Sequence, residues 1–243
     1  MSLRVRAFLL HLVVSIVVVL LGGGLLFSLW YPVPLREAVG AGDIFLLLLL
    51  VDALLGPLLT FVVFKVDKKS LVFDLAVIAV MQLTALLYGF SALAEGRPAW
   101  LVFSVDRFDL VRALDIEARY LEGAQPQYRD TSWLGPRWVA AVLPDDPGRR
   151  TAILFEVVGG AADLSLRPNL YQPLEAAASG MRGKAQPLEE LHRYNKAEVV
   201  SAELTRWPEA DAWLPLKATA KAQVVLINRD AARVVAVVDL VPW

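Results

Sequence analysis

The sequence predicts a membrane α-helical protein with three transmembrane helices, followed by an α+β domain with an antiparallel sheet and a C-terminal β-hairpin. Three apolar runs, each near the roughly 20 residues that cross a bilayer, precede residue 94. Only 11 of the 49 charged residues lie before that point, so the rest of the chain has the composition of a globular domain. We therefore expect a membrane domain over 1–93 and a second domain over 94–243.

The first apolar run covers residues 7–30 and follows two arginines. A cleaved signal peptide would also begin with basic residues, but its apolar core would be shorter and a small-residue cleavage site would follow. This run ends in Trp30 and Tyr31 before Pro32, as expected for a helix that stops at a membrane interface. The pattern favours an uncleaved first span.

The second and third runs, residues 43–64 and 71–93, form a helical hairpin around a short basic connector. Ser70 is placed to cap the third helix, and Asp74 lies in its first turn, where an acid is electrostatically favourable. The positive-inside rule places the basic residues in the cytoplasm, and three spans then export everything after residue 94. The residues that decide this topology are Arg4, Arg6, Lys65, Lys68 and Lys69.

Asp52 lies near the centre of the second run, where an ionised carboxylate costs about 2.5–3.5 kcal/mol on insertion scales. Gln82 lies near the centre of the third run, and both residues are about equally far from the connector, so a hairpin places them at one depth. We expect the Gln82 amide to bond the Asp52 carboxyl, with Thr84 as an additional candidate. An internal clamp, a partner-binding site and a proton-handling site all remain open.

Gly56 and Pro57 follow Asp52 by one helical turn. Proline has no N–H and bends a helix, and glycine permits close packing between helices. A fixed kink and a moving hinge are both compatible with this pair.

The region after residue 94 shows mainly β-strand signals. An apolar run around Trp100 predicts a strand, and two β-branched runs over 223–228 and 233–240 predict a C-terminal hairpin, preceded by a further strand within 214–222. Residues 123–150 indicate loops, residues 152–158 fit either a helix or a buried strand, and Pro187 predicts the start of a helix. The charged run over 105–109 is expected to be solvated.

Several classes of function are excluded or lack support. The chain has no cysteine and only two histidines, so thiol chemistry, disulfides and a histidine-rich metal site are excluded. It carries no catalytic or nucleotide-binding motif, and its near-neutral charge gives no reason to expect nucleic acid as a partner. We therefore predict a protein that is not an enzyme and uses no cofactor or metal.

Four sequence stretches carry a family resemblance. They are WYP at 30–32, VDALLGPLLT at 51–60, KKSLVFDLAVIA at 68–79 and RPAWLVFSVDRFDLV at 97–111. In these stretches the chain resembles the type IV pilin accessory protein family, often labelled TfpX/TfpZ. The resemblance covers about residues 30–111 and carries no catalytic residues.

The resemblance implies a protein of the bacterial inner membrane, and the orientation expected from the positive-inside rule then gives a multi-pass protein with a cytoplasmic N-terminus and a periplasmic C-terminal domain. It also implies a chaperone-like role, in which the protein helps a particular major pilin to be stabilised or assembled into type IV pili. The expected partners are the transmembrane helix and periplasmic head of that pilin, together with membrane lipid. The alternative is a small membrane enzyme or transporter component that uses Asp52, and the oligomeric state is left open.

Overall fold

The structure is a computed structural model that describes all residues, 1–243. The chain forms two compact units. The helical unit contains Met1–Pro32 and Ala41–Glu95, and the sheet unit contains Val33–Gly40 and Gly96–Trp243.

The helical unit consists of three helices, each long and apolar enough to cross a membrane. They are α1 (Leu3–Trp30), α2 (Ala41–Val63) and α3 (Leu71–Gly96). The prediction of three spans is confirmed.

The middle of α2 is a π-helical segment, Val51–Leu55, between two α-helical parts. Pro57 follows this segment and has no N–H, so the carbonyls one turn earlier lack their usual donor. A local π-helical turn is a known response of a helix to such an interruption. Gly56 and Pro57 therefore mark a change of helical geometry, and both are buried.

Glycines allow the three helices to approach closely. A Cβ atom on Gly23 would lie 2.1 Å from the Phe45 ring, and one on Gly89 would lie 1.9 Å from Leu48 Cδ1. Small residues at helix contacts are typical of membrane helix packing. Tyr31, expected at an interface, is buried and donates its hydroxyl hydrogen to the Leu93 carbonyl at 2.6 Å.

The sheet unit is built on one sheet of eight strands. The strands are β1 (Pro98–Ser104), β2 (Arg107–Arg112), β3 (Arg137–Ala141), β4 (Tyr171–Gln172), β5 (Gln186–Pro187), β6 (Ala212–Lys217), β7 (Gln223–Asn228) and β8 (Arg233–Val238). Their order in the sheet is β4-β3-β1-β2-β6-β7-β8, with β5 paired to β6. The β1–β3 and β2–β6 pairs are parallel and the other pairs are antiparallel.

The α+β class, the strand at Trp100 and the C-terminal hairpin are confirmed, and the sheet is mixed because it also contains two parallel pairs. The unit also contains three longer α-helices, α4 (Pro147–Val158), α5 (Ala178–Lys184) and α6 (Ala197–Arg206), and two one-turn helices, Leu35–Ala38 and Pro126–Arg129. Residues 152–158 are therefore helical. The segment after Pro187, expected to be α-helical, is a 3-10 helix over Leu188–Arg193.

Two hydrophobic clusters form the core of the sheet unit. One surrounds Trp100, Val139 and Tyr171, and the other surrounds Trp213 and Leu226. The segment Val33–Gly40 joins this unit through hydrogen bonds with residues 220–223 and not through a strand.

Candidate functional site in the helical unit

All three membrane helices contribute to one polar cluster. Each of its side chains lies between helices and is at least partly buried, in segments that are otherwise almost entirely apolar. The cluster, hereafter the polar cluster, consists of His11 and Ser15 on α1, Asp52 and Thr60 on α2, and Gln82 on α3.

Gln82 is the centre of the polar cluster. Its carbonyl oxygen lies 2.7 Å from His11 Nε2, and its amide nitrogen donates to the main-chain oxygen of Asp52 at 3.2 Å and to Ser15 Oγ at 3.5 Å. Because an amide carbonyl only accepts hydrogen bonds, His11 Nε2 must carry a hydrogen. His11 Nδ1 then faces Thr60 Oγ1 at 2.7 Å. One side chain thus links all three spans.

Gln82 does bond Asp52, but the predicted acceptor is wrong. The Gln82 amide donates to the main-chain carbonyl of Asp52 and not to its carboxyl group. In a π-helical turn, the carbonyl of one residue faces the N–H five residues later. For Asp52 that residue is Pro57, which has no N–H. The carbonyl is therefore free to accept a hydrogen bond from another helix.

Gly56 makes this contact sterically feasible. A Cβ atom at this position would lie 1.8 Å from Gln82 Nε2. The glycine is therefore required for Gln82 to approach α2 at this depth.

Asp52 is only 5% exposed as a residue, and its Oδ1 atom is buried without a hydrogen-bond partner. It borders a cavity of about 200 Å³ between the helices. This cavity is also lined by His11, Ser15, Gln82 and apolar residues of α1 and α3. The polar cluster therefore contains one acceptor that the chain does not satisfy.

Thr84 does not belong to the polar cluster, contrary to the expectation. It lies on the exposed side of α3 and donates to the Val80 carbonyl of the same helix at 2.9 Å. His11 and Ser15 were not predicted to join Asp52. Their spacing of four residues on α1 places them on one helix face, and this was the signal in the sequence that they could act together.

The residues assigned to topology and capping surround the α2–α3 connector. Lys68 Nζ lies 2.6 Å from the Asp74 carboxylate, and Ser70 donates to the same carboxylate at 3.2 Å. The Asp74 N–H donates to the Ser70 main-chain oxygen at 2.9 Å, which is the first hydrogen bond of the helix and is consistent with Ser70 at its N-cap position. Lys65 and Lys69 are exposed.

In the sheet unit, the charged run over 105–109 is only partly solvated. Asp109 is buried, and Arg107 Nε donates to its Oδ1 at 3.1 Å, while Oδ2 has no partner. Burial raises the pKa of Asp109 and outweighs the attraction of Arg107 and Lys217. The expectation of a solvated acid is therefore wrong for Asp109, because strand β2 carries its side chain inward.

These features define a membrane protein with an internal polar cluster and an α+β sheet unit. The model of the family described as "Fimbrial assembly protein FimB" matches residues 1–40. The chain is 30% identical over 181 residues to the serogroup E1 fimbrial assembly protein of Dichelobacter nodosus, a match that covers 74% of this chain and 70% of that protein. The chain belongs to the fimbrial assembly protein family.

Two further relatives from the same organism agree with this membership. The serogroup I fimbrial assembly protein is 29% identical over 181 residues, covering 74% of this chain and 70% of the relative. The protein of serogroups C1 and C2 is 34% identical over 109 residues, covering 44% of this chain and 83% of the relative. No solved structure matches the chain.

Proposed function

We propose that this protein acts in type IV pilus assembly as an accessory protein of the bacterial inner membrane, where it binds and stabilises its cognate major pilin. The relatives support a role in assembly, because each is named a fimbrial assembly protein. The basic residues at the N-terminus and in the α2–α3 connector support a cytoplasmic location for both and a periplasmic sheet unit. The proposed role is one of binding and not of catalysis.

The observation that carries this proposal is the buried carboxyl group of Asp52. An unsatisfied buried polar group costs about 1–3 kcal/mol, and the cost is higher for a charged group. A hydrogen-bond donor on the transmembrane helix of the pilin would remove this cost, and the adjoining cavity provides space for it. In this proposal the helical unit holds the pilin helix, and the sheet unit contacts the pilin head.

Complementation of a gene deletion tests the proposal. Deletion should abolish surface pili, and the wild-type gene should restore them. The Asp52→Leu variant, present in the membrane in the same amount as the wild type, should restore about a tenth of the wild-type number of surface pili, because it removes the acceptor for the pilin helix. Thr84→Val is the matched control, since Thr84 bonds only its own helix, and it should restore pili fully.

Two results would contradict the proposal at different levels. Normal piliation in the deletion strain would overturn the role in assembly. Full restoration by Asp52→Leu would overturn the contact through Asp52 but leave the role in assembly intact. Full restoration by Asp52→Asn would show that the contact needs no negative charge.

A further inference from the structure

Strand β8 and the first half of β3 each have an edge without a strand neighbour. β8 is the last strand of the sheet and pairs only with β7. β3 pairs with β4 only through Ala140 and Ala141, so its first residues, Arg137–Val139, lack a strand on that side. Unpaired edges of this kind present free N–H and C=O groups that can pair with another chain.

These two edges border the same cavity, which has a volume of about 770 Å³. We call it the edge groove, and its walls are Arg137–Val139, Ala231–Ala236 and Pro173–Glu175. Trp100 and Tyr128 also line it, and both belong to the hydrophobic core. Its volume lies within the roughly 300–1,000 Å³ of typical ligand sites.

The strand directions suit one additional strand. Following the pairings from β3 through β1, β2, β6 and β7 shows that β8 runs opposite to β3. An inserted segment would therefore run antiparallel to one edge and parallel to the other. Both pairings already occur in this sheet.

The charges in the edge groove favour an acidic segment. The Arg137 guanidinium lies 4.1 Å from the centroid of the Trp100 ring, forms no ion pair, and has a buried Nε without a partner. Arg233 is exposed and also forms no ion pair, and the groove contains one acid, Glu175. Arg137 Nη2 donates to the main-chain oxygen of Asp130, so a carboxylate on the bound segment would meet two arginines that form no ion pair, of which Arg137 still has its Nε free.

We propose that the edge groove binds an extended segment of the pilin, which adds a strand along β8 and places a carboxylate beside Arg137. The identity of the partner rests on the proposed function. Addition of a strand to a free edge is a general mode of peptide recognition, in which main-chain bonds give affinity and side-chain pockets give specificity.

A second copy of this chain fits the edge groove less well. Its β8 would be the segment available for edge-to-edge pairing, but that strand borders a groove with its own facing wall, formed by β3 and Pro173–Glu175. Pairing two such strands would bring the facing walls of both copies together. A free extended segment meets no such obstacle.

Site-specific photo-crosslinking in cells that express the full chain and its cognate pilin tests the proposal. A photoreactive phenylalanine analogue replaces Val235 in the groove wall, and the same analogue at Val199, exposed on α6, serves as the control. We expect a pilin adduct from position 235 that maps to one extended segment, and an adduct yield at least about tenfold lower from position 199.

Charge variants sharpen this test. Arg137→Glu with Arg233→Glu should lower the adduct from position 235 about tenfold, the change expected from loss of a charge-assisted hydrogen bond. Arg149→Glu with Arg150→Glu makes the same change of charge on α4, outside the groove, and should have no effect. Hydrogen exchange of the sheet unit should match the wild type in both double variants, which shows that the fold is retained.

The outcomes separate this inference from the proposed function. Pilin that co-purifies without an adduct at position 235 overturns the groove and leaves the function standing. An adduct between two copies of this chain also overturns the groove as a pilin site. Failure of pilin to co-purify at all overturns the function, and with it the identity of the proposed occupant.

Discussion

The Gln82 side chain bonds to both of the other membrane helices. Its amide group bonds α1 through His11 and Ser15 and bonds α2 through the Asp52 carbonyl. Hydrogen bonds between membrane helices contribute about 0.6 kcal/mol each on average. Their combined contribution depends on the close approach that Gly56 permits.

Gly56→Ala should destabilise the helical unit by about 1–3 kcal/mol, because the new methyl group would overlap the Gln82 amide. The measurement is SDS-induced unfolding of the solubilised full chain, followed by helical circular dichroism. Gly24→Ala is the control, since a Cβ atom there meets nothing within 4 Å. Equal unfolding midpoints for the two variants would show that Gly56 does not position Gln82.

Asp109 should give the sheet unit a pH-dependent stability. Because burial raises its pKa, the folded state holds the proton more tightly than the unfolded chain does. The free energy of unfolding should therefore fall as pH rises from the ordinary aspartate range through the raised pKa of Asp109. Asp109→Asn should remove this fall, as measured by urea unfolding of the full chain with tryptophan fluorescence.

The exposed Asp145, which forms no ion pair, provides the control for this pH dependence. Asp145→Asn should leave the profile of the free energy of unfolding against pH as it is in the wild type. A profile for Asp109→Asn that matches the wild type would contradict the role assigned to burial.

At the residue scale, the sequence predicted which positions meet but not which atoms meet. Counting from the connector placed Asp52 and Gln82 at one depth, and this depends only on helix length. The acceptor depends on the π-helical turn before Pro57, which frees a main-chain carbonyl. A count along the chain assumes regular α-helical geometry and therefore does not include such a turn.

Among the elements, the segment Val33–Gly40 joins the sheet unit without being a strand. Gln223 Nε2 donates to the Pro34 carbonyl at 3.0 Å, and the N–H groups of Ala220 and Lys221 donate to the Ala38 carbonyl at 2.9 and 3.2 Å. Ala38 is fully buried. The segment thus caps the turn between β6 and β7.

Gly40 ends this segment with a φ of +67°, a conformation that costs other residues about 1–2 kcal/mol. Gly40→Ala should therefore loosen the segment, also because its Cβ would lie 3.2 Å from that of Ala220. Hydrogen exchange at the Ala220 and Lys221 amides should become faster. Gly183→Ala is the control, because its Cβ meets nothing within 4 Å, and it should leave the exchange rate of these two amides unchanged. An unchanged exchange rate in Gly40→Ala would contradict the stabilising role of the segment.

The sequence predicted strands best where their signal is local. The β7–β8 hairpin has two β-branched runs and a polar turn, whereas β3 lies in a stretch rich in proline and glycine and is held by its parallel pairing with β1.

Helix α4 had a clear start signal, since the Asp146 side chain accepts the Arg149 N–H at 2.7 Å and Pro147 follows. Its exposed apolar residues hid that signal, because they also fit a buried strand.

For the whole molecule, the uneven distribution of charge leads to a prediction about orientation. Since the chain has no cysteine, single substitutions can report accessibility without removing native thiols. Ser201→Cys, in the sheet unit, should react with a membrane-impermeant maleimide added outside spheroplasts, whereas Asp67→Cys, in the α2–α3 connector, should react only after permeabilisation. The reverse pattern would contradict the proposed topology.

The proposed function requires this protein to bind its cognate pilin in the membrane. The most direct measurement is co-purification of pilin with the tagged full chain from detergent-solubilised membranes, using cognate and non-cognate pilins expressed at equal levels. We predict that the cognate pilin is recovered at least about tenfold more efficiently, and that Asp52→Leu lowers its recovery while Thr84→Val does not. Equal recovery of both pilins would contradict specificity, and recovery of neither would contradict the claim itself.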